Sequence, residues 1–217
     1  MNIFNLPQST AVNKVIPKKA FESYTNAKQK KQFTDYISQI TWLNKISSDT
    51  VNLEAREIIE IQVFYLKLKI NEDIQQVLNV IDKAIPYNII FIVEYEESIY
   101  LSTSTKHPHP VNQDNAVIDW TFKSNWFFPV ENSFSLKLKT SIDTVYYEFC
   151  VQLSGKLYIT TKTLHELNEY KKNTHMLEKE ISKLKSSIAN CKQFNRKVEL
   201  NIKLKALENE FALLANS

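Results

Sequence analysis

The 217-residue sequence predicts an α+β fold. A mixed or mainly antiparallel sheet carries helices on one face, and a C-terminal antiparallel helical hairpin of coiled-coil type follows it. Three observations lead there. Runs of period-two alternation, such as EIIEIQVFYLKLKI at 57–70, mark half-buried strands. One short stretch, NEDIQQVLNVIDKAIP, switches to helical spacing between two strands. The C-terminal quarter then keeps a heptad repeat.

In chain order, residues 12–40 read as a helix, with Pro17 in its first turn and an interrupted apolar face of Phe21, Tyr24, Phe33 and Ile37. Residues 40–53, rich in β-branched side chains and turn formers, read as a strand running into a loop. The long strand at 57–70 comes next. Ile74, Val77, Leu78 and Ile81 make the following helix, with Asn71 as expected N-cap and Pro86 closing it. Two strands joined by the acidic turn Glu96–Ser98 come after it. The first, Ile89–Val93, is apolar on both faces and belongs in the middle of a sheet. Residues 116–128 supply a strand with Val117, Trp120 or Phe122 inward, and FSLKLKT at 134–140 alternates as another. SIDTVYYEFCVQLSG reads as a helix stopped by Gly155.

The tract LYITTKT (157–163) is the seam between a body, 1–156, and the hairpin, 157–217. In the hairpin Tyr170, Thr174, Leu177, Ile181, Leu184, Ile188 and Cys191 follow the alternating four-three spacing of a heptad seam. Leu200, Leu204, Leu207, Phe211 and Leu214 resume it. The step from Cys191 to Leu200 breaks the register, which makes Asn190–Asn195 a turn between antiparallel helices. A single helix with a register shift is the alternative.

Composition excludes several chemistries. Phosphate-cradling loops need several glycines so that backbone N–H groups can close on the phosphates, and Gly155 is the sole glycine. No nucleophile elbow, His-Glu-x-x-His helix or Ser–His–acid order occurs. A restriction-type nuclease would need acid-x-Lys on a strand, but Tyr65 and Leu66 precede Lys67, and Ser104 and Thr105 precede Lys106. No cofactor is expected. No apolar run spans a membrane, and MNIFNLPQSTAVNK lacks the order of a secretory signal. Cys150 and Cys191 match no metal or redox spacing, so a cytoplasmic protein with reduced thiols is expected.

The net charge of +3 is divided, with +5 over residues 1–45, −7 over 46–155 and +5 over 156–217. Two basic clusters are therefore candidate contacts for nucleic acid or an acidic partner. One is Lys14, Lys18, Lys19, Lys28, Lys30 and Lys31, with Tyr24 interleaved. The other is the hairpin turn, where Lys192, Arg196 and Lys197 surround Gln193, Phe194 and Asn195. Solvated lysines of an AT-rich genome are the plainer reading of both. His107 and His109 in STSTKHPHP, with Asp114 and Asp119 nearby in sequence, form the one candidate metal or catalytic group. Zinc asks for three or four protein ligands, so a structural or partner-contacting loop is the plainer reading there too.

Several stretches, FNLPQSTAVNKVIPKKAF, ITWLNKISSDTVNL, STSTKHPHP, VIDWTFKSNWF, FCVQLSG and CKQFNRKVELNIKLKALE, together resemble the bacterial family called domain of unknown function 4391. The resemblance spans essentially the whole chain and carries over no catalytic residue. It implies a setting beside a DNA methyltransferase and a superfamily 2 helicase in restriction-modification or phage defence. The resulting expectation is an accessory subunit without its own catalysis, binding DNA, the helicase or the methyltransferase. Two alternatives accompany it. One is a divergent divalent-metal nuclease using His107, His109, Asp119 and Glu94. The other is a structural homodimer joined through the C-terminal helices.

Overall fold

The computed structural model describes residues 3–108, 116–155 and 163–216. The chain divides into two compact units, Met1–Leu157 and Tyr158–Ser217. The first is built on one six-stranded sheet of order β1-β2-β3-β4-β5-β6. Its strands are β1 (Ala11–Val15), β2 (Ile37–Ser47), β3 (Glu60–Leu68), β4 (Asn88–Tyr95), β5 (Ser98–Pro108) and β6 (Ala116–Lys123). Neighbours run antiparallel except β3 and β4, which are parallel. A parallel pair needs a crossover, and the helical stretch seen in the sequence supplies it.

Among its described residues this unit has four α-helices: α1 (Ala27–Tyr36), the single turn α2 (Ser48–Val51), α3 (Gln75–Ala84) and α4 (Ile142–Leu153). Helix α3 ends at Ile85, which is extended because Pro86 follows. Asn71 does not cap it. Its N-cap position is Ile74, and the Asp73 carboxylate accepts the Gln75 N–H instead. Helix α1 is closed by a capping box between Asn26 and Gln29.

Helices lie against both sheet faces, one face more than expected. On the first, Phe64, Leu66, Phe91, Val93 and Tyr100 of the sheet bury Val77, Leu78 and Ile81 of α3 together with Phe21 and Phe33. Thr103 is three residues from Tyr100 on the regularly paired β5, so it points to the second face. There it meets Tyr146 of α4, Oγ1 to Oη, at 2.8 Å. Ile142, Val145, Phe149 and Cys150 of α4 are fully buried. Truncating one such aromatic to alanine typically costs about 3–5 kcal/mol. Ser141 caps α4 by accepting the Thr144 N–H, and Gly155 leaves the helix at φ +77°, a conformation that suits glycine. Strand β4 is buried from Ile89 to Val93, as its two-sided apolar sequence requires.

Two further sequence expectations fail here. The helix expected over 12–40 is instead β1, a 3-10 stretch (Lys18–Tyr24), the shorter α1 and the start of β2. Phe21, Phe33 and Ile37, which read as one helical face, lie on three of these pieces, and their side chains converge on one core. The strand expected over 134–140 is not formed. Gln152 of α4 takes the place of a neighbouring strand: its Oε1 accepts the Ser135 N–H at 2.8 Å and its Nε2 donates to the Ser135 carbonyl at 2.9 Å.

The second unit is a helical pair, α5 (Leu164–Asn190) and α6 (Phe194–Asn216). Thr163 caps α5 by accepting the Glu166 N–H. The connection is Cys191–Gln193, inside the expected turn, and so short a link returns α6 antiparallel to α5. Lys185 bridges to Glu208 at 2.9 Å across the pair. Tyr170, Thr174, Leu177, Ile181, Leu184 and Ile188 of α5, and Leu200, Leu204, Leu207, Phe211 and Leu214 of α6, are all buried or half-buried between mostly exposed neighbours. This is the seam the heptad predicts. No helix among the described residues is long and apolar enough to cross a membrane.

Candidate functional site

Three places in the molecule bear on function, and the first lies at the outer ends of β5 and β6. The ladder between these strands pairs Thr105 with Trp120 but Lys106 with Ile118, so Asp119 is the extra residue of a β-bulge. Bulges re-aim side chains. Here the Asp119 carboxylate reaches Nδ1 of His107 at 3.0 Å, with the imidazole about half exposed. Two of the expected partners are thus brought together. His109 and Asp114 lie outside the described residues. Glu94 is not part of the group: it pairs with Ile99, at the opposite end of β5 from His107, and its carboxylate lies 3.6 Å from Lys67. At about 3.3 Å per strand residue, more than 20 Å separate the two. Among the described residues no group of three His, Cys, Asp or Glu side chains could hold a metal ion. An open groove of about 880 Å³ runs past Val117 and Ile118, lined also by Tyr24, Gln29, Asn79 and Lys83.

Directly inside this bulge is a group that sequence reasoning missed. Lys106 and Asp82 form an ion pair at 2.9 Å, their side chains 2% and 1% exposed. An ammonium has three donors, and all three are used: on Asp82 Oδ1, on the Asp82 carbonyl at 2.6 Å and on the Ile85 carbonyl at 2.7 Å. Lys106 therefore caps the C-terminus of α3, where unpaired carbonyls favour a cation. Burial pushes the Asp82 carboxyl up and the Lys106 ammonium down, and each partner's charge opposes the other's shift. On the other face Tyr146 Oη donates to the Ser104 carbonyl at 2.7 Å, and burial pushes its phenol well up. Every donor of Lys106 is committed, which suits a structural pin and not a nucleophile. A signal was available. Asp82 follows Ile81 and falls four residues after Leu78, on the apolar face of α3.

The basic N-terminal cluster is dispersed by the fold. Lys14 sits on β1, and Lys18 Nζ donates to the Ile37 carbonyl at 2.7 Å, its ammonium pushed down by burial and then by Lys69. Lys30 pairs with Glu22 at 3.0 Å. Lys19 on the 3-10 stretch and Lys28 and Lys31 on α1 remain exposed, so only the last two share a helix.

The hairpin tip keeps its residues together. Lys192, Gln193, Phe194, Asn195, Arg196 and Lys197 are consecutive and all exposed, and Phe194 is 78% accessible. Arg196 reaches Glu199 at 2.7 Å on the surface, a contact of the kind worth well under about 1 kcal/mol and easily given up.

Comparison with known proteins bears on the whole chain. The model of the family described as Domain of unknown function (DUF4391) matches residues 4–211. The chain belongs to this family. The match takes in the sheet, the His107–Asp119 bulge and the helical pair to within a few residues of its end, so all three places are parts of the family's common chain. No curated protein and no solved structure matches it.

Proposed function

We propose that this DUF4391 protein is an accessory subunit of a DNA-processing system of the restriction-modification or phage-defence type. It works in the cytoplasm, without catalysis of its own, beside a helicase or methyltransferase, and the hairpin tip is its DNA-contacting point. The observation that carries this reading is Phe194, standing 78% exposed among Lys192, Arg196 and Lys197 at the turn between two long helices. An exposed aromatic costs solubility unless something covers it, and its ring can stack on a base or sugar. Such stacking is worth about 1–3 kcal/mol per base. The three cations supply the sequence-independent attraction to phosphates, which weakens as salt rises. Gln193 and Asn195 add amide donors and acceptors within the same turn.

The test is co-purification with a helicase and a methyltransferase of such a system, together with duplex binding at low salt. Association with either enzyme, or salt-sensitive binding of DNA, is the expected result. Failure of both overturns the reading.

The His107–Asp119 pair favours a second reading, a divalent-metal hydrolase. A carboxylate on Nδ1 fixes the imidazole's orientation and leaves Nε2 for a metal or a proton. Metal analysis and plasmid cleavage with wild type and His107→Ala decide it. Metal-dependent cleavage lost in the variant supports it, and cleavage that is absent or survives the change removes its basis.

A further inference from the structure

Helix α6 leaves the tip with Phe194, and exposed apolar side chains follow it at four-residue steps. Val198 is 43% exposed and Ile202 67%, beside 78% for Phe194, and the small, exposed Ala206 ends the run. Residues four apart lie about 40° around a helix and about 6 Å along it, so Phe194, Val198 and Ile202 form one ridge about 12 Å long. The ridge turns away from the seam, where Leu200, Leu204 and Leu207 are buried or half-buried. The outer side of a two-helix pair should be polar, and here it is not. Three residues further on, Lys197, Asn201 and Lys205 make a parallel, exposed row, in which the Asn201 side-chain amide donates to the Lys197 carbonyl at 2.8 Å. Asn195, Glu199 and Lys203 border the other side. Glu199 is held by Arg196 at 2.7 Å, and Glu208, the next carboxylate along the helix, by Lys185 at 2.9 Å. Lys197, Lys203 and Lys205 thus stand as exposed cations on either side of an apolar ridge.

We infer that this ridge is a track for single-stranded DNA that leads away from the tip. The inference rests on the reading of the tip as a DNA contact and adds the form of DNA that is bound. Charge selects a polyanion: the rows beside the ridge carry Lys197, Lys203 and Lys205 against Glu199 alone, which is already paired. The apolar ridge selects the single strand. In a duplex the bases stack on one another and the phosphates face outward, so the methyl groups of Val198 and Ile202 would lie on phosphates and lose by the contact. In a single strand the base faces are open. One base stacks on Phe194, those after it lie on Val198 and Ile202, and the phosphates follow Lys197 and Lys205. Because the ridge starts at Phe194, tip and track are one continuous surface.

Fluorescence anisotropy of the full chain on a labelled oligothymidylate of about 15 nucleotides, set against a duplex of the same length, tests this. The duplex carries twice the phosphates, so an electrostatic tip alone binds it at least as tightly. The expected result at about 50 mM salt is an oligothymidylate bound about tenfold or more tightly than the duplex. V198S/I202S should lose that preference while duplex binding and far-ultraviolet circular dichroism stay unchanged, because both side chains are exposed. K205A should lower the slope of log affinity against log salt on the single strand by about 0.7, one phosphate contact having been lost. A duplex bound as tightly as the single strand overturns the inference and leaves the DNA contact at the tip standing. So does a preference that survives V198S/I202S, which leaves the ridge to a protein partner, or a slope that K205A does not change. Binding of neither form removes the inference together with the tip contact beneath it.

Discussion

Lys106 holds α3 in place through three hydrogen bonds that no solvent shares. Replacing it by methionine keeps the volume but strands the Asp82 carboxylate and two helix carbonyls in the interior. Breaking one side of a buried pair costs about 3–5 kcal/mol, and Lys106→Met should destabilise the first unit by that order. Trp42, Trp120 and Trp126 all lie in that unit, so urea melts followed by tryptophan fluorescence read it alone. The loss should depend on pH. Without Lys106, burial is opposed only by the hydrogen bond from Ser104 and holds the Asp82 carboxyl further above its ordinary value than it is now. A carboxyl raised on folding contributes stability that is fully present below the unfolded value, near pH 4, and is lost as pH rises through the folded one. The variant should therefore lie closer to wild type at pH 5 than at pH 8, and D82N/K106M should lose this dependence. A penalty equal at both pH values would show that Asp82 does not feel its burial. The thiols offer a second check at this scale. Cys150 is fully buried and its thiol is pushed up by that burial, whereas Cys191 is half-buried at the hairpin turn. A thiol reagent at pH 8 should modify Cys191 in the native protein and Cys150 only after unfolding. Equal rates would contradict the placement of α4.

Among the elements, α4 organises more of the first unit than its length suggests. Its Asp143 accepts the backbone N–H groups of Arg56, Glu57 and Ile58 at 2.9–3.0 Å and so fixes the approach to β3. Charge-assisted bonds to backbone donors are the stronger kind. Asp143→Ala is expected to cost about 1–3 kcal/mol in the same tryptophan-monitored melt, with Asp143→Asn recovering part of it. No change in either would show that the loop is held by other contacts. These long-range bonds also explain what the sequence reveals and what it hides. The heptad of α5 and α6 is local, since each seam position depends on residues three and four away, and it could be read down to the turn. Strand β4 was legible for the same reason, its burial being written in an unbroken apolar run. FSLKLKT alternates like a strand, yet its backbone partner is the side chain of Gln152, and no local pattern encodes that substitution. Residues 12–40 misled because Phe21, Phe33 and Ile37 meet in one core from three separate elements. At the candidate site, His107 and Asp119 could be suspected from their nearness, but the bulge that joins them is a property of the ladder. Lys106 was invisible as a site because its partner lies on another element, although Asp82 on an apolar helix face was a readable anomaly.

For the whole molecule, the division of charge acquires a shape. Within the N-terminal basic third the fold sends Lys14, Lys18, Lys19 and the α1 lysines to different elements and ties two of them to neighbours. Within the C-terminal segment it sets Lys192, Arg196 and Lys197 around Phe194 at the turn and leaves them exposed. Contact with DNA through that tip is the central claim, and fluorescence anisotropy of the full chain on a labelled duplex tests it most directly. Wild type should bind at about 50 mM salt and weaken steeply toward about 200 mM. K192E/R196E/K197E should bind about tenfold or more weakly at the lower salt, and the slope of log affinity against log salt should fall by about 2.7, three phosphate contacts having been lost. Absence of binding by wild type at low salt, or binding that the three changes leave untouched, would contradict it.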